Sequence, residues 1–173
     1  MKNLIKVSLR YGVIAAVIGS GILLALYYMG RHPFLIPVYA DFRIILFGIF
    51  IFFTLREIRD YYQNGTLYFA HGIFASMLFT VTYAVLSSLA VYLFAVAVPA
   101  FLRDYTDLQM RILKALPADV IDRIVKDVYL KNLAALPATK PWDLALLYFS
   151  QSFLISLFLS VILSVILRRQ PKT

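Results

Sequence analysis

Three long apolar runs constrain this chain's fold more than any other feature of its sequence. The runs Tyr11–Met29, Leu67–Val98 and Leu144–Leu167 contain no Asp, Glu, Lys or Arg. About 20 helical residues cross the apolar core of a bilayer, so each run is predicted to be a transmembrane helix. Composition supports this prediction, because 62% of the 173 residues are hydrophobic, against roughly 45–50% in soluble domains. Lipid is therefore the expected surrounding of most of the chain.

A fourth apolar segment is shorter and is bounded by charges. Only Ile44–Leu55 is free of charge and of proline, and about 12 residues rise about 18 Å as a helix. We expect the helix to run from residue 42 to residue 62, with Asp41 as its N-cap. Arg43 and Arg56 would then reach the two headgroup layers. A re-entrant segment is the alternative that the sequence leaves open.

The predicted fold is an all-α membrane protein in a single integral-membrane domain, residues 1–173, with four transmembrane helices at 11–29, 42–62, 67–98 and 144–167. A cleaved signal peptide is the alternative for the first segment, because a small-residue site, VYA, follows at residues 38–40. The apolar run is longer than that of a typical signal peptide, and Pro33 and Pro37 separate it from this site. A retained helix is the prediction.

The connector before the last run is predicted to form two short amphipathic helices, at about 102–116 and 119–135, on the extracytoplasmic side. The first has an apolar face made of Leu102, Tyr105, Leu108, Ile112, Leu113 and Leu116. On its other face, Asp107 and Arg111 are expected to form an i,i+4 pair. The second has an apolar face that includes Ile121, Ile124, Val125 and Val128. Such helices lie on the bilayer or fold over a bundle, so a lid and a docking surface for a partner both remain open.

Small residues recur every four positions along three of the predicted crossings. They are Gly12, Ala16 and Ser20 in the first, Gly72, Ser76, Thr80, Ala84 and Ser88 in the third, and Ser152, Ser156, Ser160 and Ser164 in the last. Residues four apart lie on nearly the same helix face. In lipid, helices associate through close approach over small residues and occasional interhelical hydrogen bonds. The stripes are therefore predicted to be helix-packing seams within the chain, with a homodimer seam and a polar pore as alternatives.

The sequence shows no pattern typical of catalysis or of cofactor binding. No ionisable side chain lies in the middle of a predicted crossing, where proton relays and ion-coupled transporters place such groups. Walker, G-x-S-x-G, H-E-x-x-H and dinucleotide-binding motifs are absent, and the chain has no cysteine. We therefore expect that the protein is not an enzyme and has no catalytic, cofactor-binding or metal-binding residues.

Basic residues flank the apolar segments and give the chain a net charge of +8. Anionic lipid headgroups explain basic residues at these positions, so nucleic acid is not an expected partner. Three basic residues precede the first helix, and only Arg31 follows it closely. Lys and Arg favour the cytoplasmic side of a membrane, so both termini are predicted to be cytoplasmic.

The stretch LREIRDYYQNGTLYFAHG, residues 55–72, combines mixed charges with a turn signal. Asn64-Gly65 is typical of a turn. The simplest interpretation is a tight cytoplasmic hairpin that includes Arg59 and Asp60.

The same residues carry a resemblance to a known family. Arg59-Asp60, then Asn64-Gly65, then Phe69 and Gly72 at the start of a membrane helix, resemble the bacterial family known as domain of unknown function 4199. The tripeptide RYG at residues 10–12 is similar as well, so the resemblance covers nearly the whole chain. It implies a four-helix inner-membrane protein of the kind found chiefly in Bacteroidota, with no assigned activity.

These observations predict a non-catalytic inner-membrane protein that acts through helix–helix association, as a scaffold or an accessory subunit. Its expected partners are the lipid bilayer and either a second copy or another membrane protein. The alternative is a small transporter or channel subunit, which a water-filled cavity lined by Ser76, Thr80 and Ser88 would favour. A lipid-modifying enzyme would instead bring Asp41, Arg43, Glu57 or His71 together in one pocket at the membrane interface.

Overall fold

The computed structural model describes residues 1–117 and 126–169, and within them the chain is almost entirely helical. The helices are α1 (Lys2–Tyr28), α2 (Phe42–Glu57), α3 (Phe69–Ala97), α4 (Pro99–Lys114), α5 (Lys126–Ala135) and α6 (Pro141–Leu167). A π-helical segment, Ile58–Tyr62, continues α2, and 3₁₀ turns occupy Pro33–Leu35, Val38–Ala40 and Leu136–Ala138. The described residues form no β-strand, so the all-α prediction is confirmed.

Three helices in the described part of the chain, and not the predicted four, are long and apolar enough to span a membrane. They are α1, α3 and α6, with 27, 29 and 27 residues. The predicted second crossing falls short, because α2 has 16 residues, or about 24 Å of helix, against an apolar bilayer core of about 30 Å. The π-helical segment carries the chain on to Tyr62, but it contains Arg59 and Asp60.

The starts of α1 and α2 follow from local contacts. α1 begins at Lys2, well before the predicted span, because Leu4 and Val7 of its first turns are buried against the bundle. At α2 the predicted N-cap is observed: the Asp41 carboxylate accepts a hydrogen bond from the backbone N–H of Arg43 at 2.9 Å. Capping of this kind satisfies a backbone donor that the first helical turn leaves without a partner.

Helices α1, α2, α3 and α6 form a four-helix bundle. α3 packs along α6 on one side and along α1 on the other, and α2 closes the ring against α6 and α1. At one end, Arg10 of α1 forms a salt bridge with Glu57 of α2 at 2.6 Å. Leu67 and Arg169 form an isolated antiparallel β-bridge at the same end. We call this the terminal end, because residues 1 and 169 both lie there.

The opposite end of the bundle, called the layered end, consists of residues 29–41, α4 and α5. Phe101 of α4 is fully buried there and stacks on His32, with their ring centroids 4.7 Å apart. Phe34 packs against both of these rings, and Tyr105 packs against His32 and Phe34. These aromatic contacts fix the first turns of α4 to the loop between α1 and α2.

The connector helices differ in part from their predicted bounds. α4 begins at Pro99, immediately after α3, because proline suits the first turn of a helix. α5 begins at Lys126, and Ile121, Ile124 and Val125, which were expected on its apolar face, lie outside the described residues. Val128 of that face is exposed.

Candidate functional site

Arg43, near the start of α2, is buried, with 5% of its surface exposed. Its side chain therefore points into the bundle instead of outward, and its contact with a headgroup layer stays a prediction. Arg43 lies on the face of α2 that packs against α6, and its side chain reaches across to Gln151 and Ser152 of that helix. Because Asp41 is only two residues away, a counter-ion accompanies the arginine into the bundle.

The guanidinium group of Arg43 is held by groups on both sides of the α2–α6 contact. Its Nε donates to the two Asp41 oxygens, each at 2.9 Å. Its Nη2 donates to Asp41 and, at 3.0 Å, to the side-chain oxygen of Gln151. Its Nη1 donates to the Ser152 hydroxyl at 3.0 Å. A buried charge costs several kcal/mol unless it is paired and hydrogen-bonded, and this arrangement meets both conditions.

The arginine also lies over an aromatic residue that connects it to α3 and α1. The guanidinium carbon is 4.6 Å from the ring centroid of Tyr148 on α6, which is a cation–π contact. The Tyr148 hydroxyl is hydrogen-bonded to that of Tyr83 on α3 at 3.0 Å. Gly19 of α1 makes room for this pair, because a Cβ at that position would overlap the Tyr83 hydroxyl.

The polar groups that link α2, α3 and α6 are called the Arg43 network. Its members are Asp41, Arg43, Tyr83, Tyr148, Gln151 and Ser152. A cavity of about 10 Å³ lies beside Arg43, which is room for about one water molecule. The network therefore has no space for a substrate, and its geometry suits a clamp between helices better than a reaction centre.

The four residues that a lipid-modifying enzyme would bring together are divided between the two ends of the bundle. Asp41 and Arg43 are paired within the network. At the terminal end, Glu57 accepts hydrogen bonds from Arg10, at 2.6 Å, and from the Tyr11 hydroxyl, at 2.9 Å. His71 lies at that end too, where its Nδ1 is 3.0 Å from the Gln63 amide nitrogen. These side chains do not form one pocket.

The contact between α3 and α6 contains several of the predicted seam residues. The four serines of α6, Ser152, Ser156, Ser160 and Ser164, are fully buried. Ser156 is hydrogen-bonded to Thr80 of α3 at 2.6 Å. At the closest approach, a Cβ on Gly72 would lie 3.0 Å from the Ser164 hydroxyl oxygen. Ser76 donates to the Gly72 carbonyl one turn earlier, at 2.8 Å, which satisfies the hydroxyl without water.

The stripe of serines winds around α6 and meets two neighbouring helices. Each four-residue step turns about 40° around an α-helix, so Ser152 lies about 120° from Ser164. Ser164 faces Gly72 of α3, whereas Ser152 accepts a hydrogen bond from Arg43 of α2. One regular spacing thus provides a close contact with α3 and a polar contact with α2.

The predicted seam residues of α1 and α3 differ from the buried ones at two places. Gly12 and Ala16 are buried, and a Cβ on Gly12 would lie 2.8 Å from the Cβ of Thr82. Ala84 of α3 is also buried.

Ser20 and Ser88, however, are only half-buried. The buried positions belong to Gly19 and Ser87, one residue earlier. Repeated four-residue steps rotate away from a contact face, and a three-residue step returns to it.

The hairpin residues lie at the terminal end, between the end of α2 and the start of α3. Asn64 and Gly65 have φ values of 50° and 78°, and two consecutive left-handed residues are typical of a tight type I′ turn. The Gly65 N–H donates to the Arg59 carbonyl at 2.8 Å. Arg59 also pairs with Asp60, with 2.7 Å between Nε and Oδ1.

The Arg43 network was not predicted from the sequence, although two features pointed to it. Gln151 places an amide within an otherwise apolar run, and Asp41 precedes Arg43 by two residues at the start of another run. Polar side chains in such positions need partners, which only the packing of the helices reveals. Among residues 1–117 and 126–169, no three His, Asp or Glu side chains are close enough to hold a metal ion.

The fold and the network define the class of this protein: an all-helical bundle with three membrane-length helices and a shorter helix, α2, whose buried arginine bonds to α6. The chain belongs to the family described as protein of unknown function (DUF4199), whose model matches residues 10–169. The resemblance found in the sequence is thereby confirmed. Comparisons with curated proteins and with solved structures return no match.

Proposed function

We propose that the chain is a four-crossing protein of the bacterial inner membrane, with both termini in the cytoplasm. α2 serves as the remaining crossing. Two contacts support this: Glu57 bonds to Arg10 at the terminal end, and Arg43 bonds to α6 on the side of the layered end. α2 therefore extends from the layered end to the terminal end, as a transmembrane helix would. The buried ion pair keeps the charges at the start of α2 away from lipid.

Single cysteines test this topology, because the chain has no cysteine of its own. Tyr39→Cys at the layered end and Tyr61→Cys at the terminal end both replace exposed side chains. In intact spheroplasts, a membrane-impermeant maleimide is expected to label Tyr39→Cys. Tyr61→Cys and the matched variant Asn3→Cys should react only after permeabilisation. Labelling of residues 39 and 61 from the same side would exclude the crossing by α2 and favour a re-entrant segment.

The function that the geometry supports best is association, as a non-catalytic scaffold or accessory subunit. The observation that carries this proposal is the closed interior of the bundle. Ser76 and Thr80 line neither the two cavities of about 580 Å³ nor the groove of about 420 Å³. Ser88 does line that groove, but the other residues around it are apolar or aromatic. A transport pathway would need water beside all three hydroxyls, so association is better supported than transport.

Association has to use the outer surface, because the small-residue seams already contact one another within the chain. α5 offers such a surface: Val128 and Leu130 lie outside the membrane-length helices and are 48% and 50% exposed. The two side chains are two residues apart and so lie on different faces of α5, which leaves apolar surface on both faces that a partner would cover. The partner that we propose is a second membrane protein that covers α5.

The experiment is mild detergent extraction of the tagged full chain, followed by mass identification of whatever remains bound. A second protein in fixed ratio is expected with the wild type and with the control Arg103→Gln, an exposed change on α4. The same protein should be lost from the double variant Val128→Asn/Leu130→Asn, although that variant stays folded by circular dichroism. A monomer alone, or a partner that is indifferent to both changes, would count against this function.

A further inference from the structure

Two neighbouring cavities at the layered end share His32 and Leu108 in their walls, and each has a volume of about 580 Å³. One, called the apolar cavity, is lined mainly by apolar side chains, and the other, called the charged cavity, carries three charged ones. Neither is used by the Arg43 network or by the seams. Their contrast in chemistry, at one location, indicates a site for an amphiphilic molecule.

The apolar cavity lies between the last turns of α1 and α4. Ile22 and Leu26 of α1 form one wall, and Ile112 of α4 forms another. Arg31 lies at the same cavity, just beyond the end of α1. Because α1 is a membrane-length helix, this position corresponds to the depth where acyl chains meet headgroups. An acyl chain matches such an apolar lining, and Arg31 can bind the phosphate of the same lipid.

The charged cavity carries two carboxylates and a guanidinium group. Asp104 accepts a hydrogen bond from the Tyr27 hydroxyl at 2.8 Å and is therefore held in place. Asp107 and Arg111 also line this cavity. They were expected to pair with each other, but within the described residues they form no salt bridge. Their charges remain available to a ligand.

The charges around the two cavities are complementary to a zwitterion. Asp104 and Asp107 supply two negative charges, and Arg31 and Arg111 supply two positive ones. An ammonium group with N–H donors would form charge-assisted hydrogen bonds with the carboxylates, and a phosphate would do so with the guanidinium groups. A quaternary ammonium has no N–H to donate, so the carboxylates would distinguish between the two kinds of headgroup.

We infer that the layered end binds a phospholipid with a primary-amine headgroup. Its acyl chain occupies the apolar cavity, its phosphate contacts Arg31 or Arg111, and its ammonium contacts Asp107. This inference rests on the membrane position proposed above for α1 and the layered end. It does not require a protein partner or the crossing by α2.

Native mass spectrometry of the full chain in detergent tests the inference. The protein is mixed with equal amounts of three phospholipids that have identical acyl chains and ethanolamine, choline or glycerol headgroups. The ethanolamine lipid is expected to bind about tenfold better than the other two, since a hydrogen bond to a charged group is typically worth at least that factor. Equal binding of all three, or preference for the glycerol lipid, would overturn the inference.

Matched variants assign the effect to the site. Asp107→Asn should remove the preference for the ethanolamine lipid, whereas Asp127→Asn, an exposed carboxylate on α5, should keep it. Identical behaviour of the two variants would refute the role of Asp107. Ile112→Asn should lower the binding of all three lipids, because it alters the apolar cavity, and an unchanged Ile112→Asn protein would refute the acyl-chain site. The labelling of Tyr39→Cys tests the membrane position separately.

Discussion

The two halves of α6 hold their neighbours in different ways. The half toward the layered end, with Tyr148, Gln151 and Ser152, binds Arg43 through directional polar contacts. The half toward the terminal end, from Ser156 to Ser164, uses close approach to α3. The first depends on a few strong interactions and the second on many weak ones, so the two halves should respond differently to single substitutions.

Among the substitutions that test this difference, the loss of Arg43 should have the largest effect on the free energy of unfolding. Arg43→Met leaves the largely buried Asp41 carboxylate without its counter-ion, and removal of one partner of a buried pair typically costs about 3–5 kcal/mol. We expect the free energy of unfolding, measured by denaturant titration in mixed micelles, to fall by that amount.

The double variant Asp41→Asn/Arg43→Met is the control for this prediction. It removes both charges and keeps an N-cap, because asparagine caps helices as well as aspartate does. Recovery of much of the lost stability is expected. If the double variant is as unstable as the single one, the ion pair is not the reason for the loss.

A change on α3, at its contact with the other half of α6, should act through overpacking instead of charge. Gly72→Leu forces a side chain into the contact with Ser164, where even a Cβ would lie 3.0 Å from the hydroxyl oxygen. Overpacking of this kind costs about 1–3 kcal/mol. Gly21→Leu is the matched control, because a Cβ at Gly21 has no neighbour within 4 Å. Equal unfolding free energies for the two variants would show that the contact between α3 and α6 has room for a larger side chain at position 72.

The hydrogen bond between the Tyr83 and Tyr148 hydroxyls should contribute less to stability than the Arg43 ion pair or the Gly72 contact. Tyr83→Phe removes the hydrogen bond to Tyr148 and keeps the ring and the cation–π contact. Hydrogen bonds between membrane helices average about 0.6 kcal/mol, so a loss of about this size is expected. Ser156→Ala, which removes the bond to Thr80, should cost a similar amount. A loss of more than about 2 kcal/mol for Tyr83→Phe alone would mean that the network acts as a cooperative unit.

Acid should weaken the layered end and leave the serine seam unchanged, and this is the smallest effect expected. Burial lowers the pKa of His32 below its ordinary value, while its hydrogen bond to the Phe101 carbonyl and the charge of Asp104 partly oppose the shift. The unfolded chain therefore binds the proton more readily, and stability falls as the pH decreases below about 6.5. His32→Gln should abolish this dependence in thermal unfolding, and a slope that persists in the variant would exclude His32 as its source.

The helices were predictable because each apolar run is a local property of the sequence. The Asp41 cap was predictable for the same reason. The inward position of Arg43 was not, since it depends on which face of α2 meets α6 and on Gln151 and Ser152 more than a hundred residues away.

The seams show the same limit within a single helix. Four-residue spacing indicated Ser20 and Ser88, but the crossing of the helices brings Gly19 and Ser87 to the buried positions. The residues of a contact depend on the helix that lies opposite, which no spacing within one segment can specify.

The brevity of α2 has a consequence for the membrane around the proposed crossing. Its uncharged stretch, Ile44–Leu55, is about 18 Å long, and Ile45, Ile49 and Phe53 on that stretch face outward. Acyl tails beside α2 must shorten or tilt to match it, since such mismatch is met by local thinning of the bilayer. The lipid would then be thinner on one flank of the molecule than beside α3. Other proteins that thin the bilayer locally would lower the total deformation energy of the bilayer by associating on that flank.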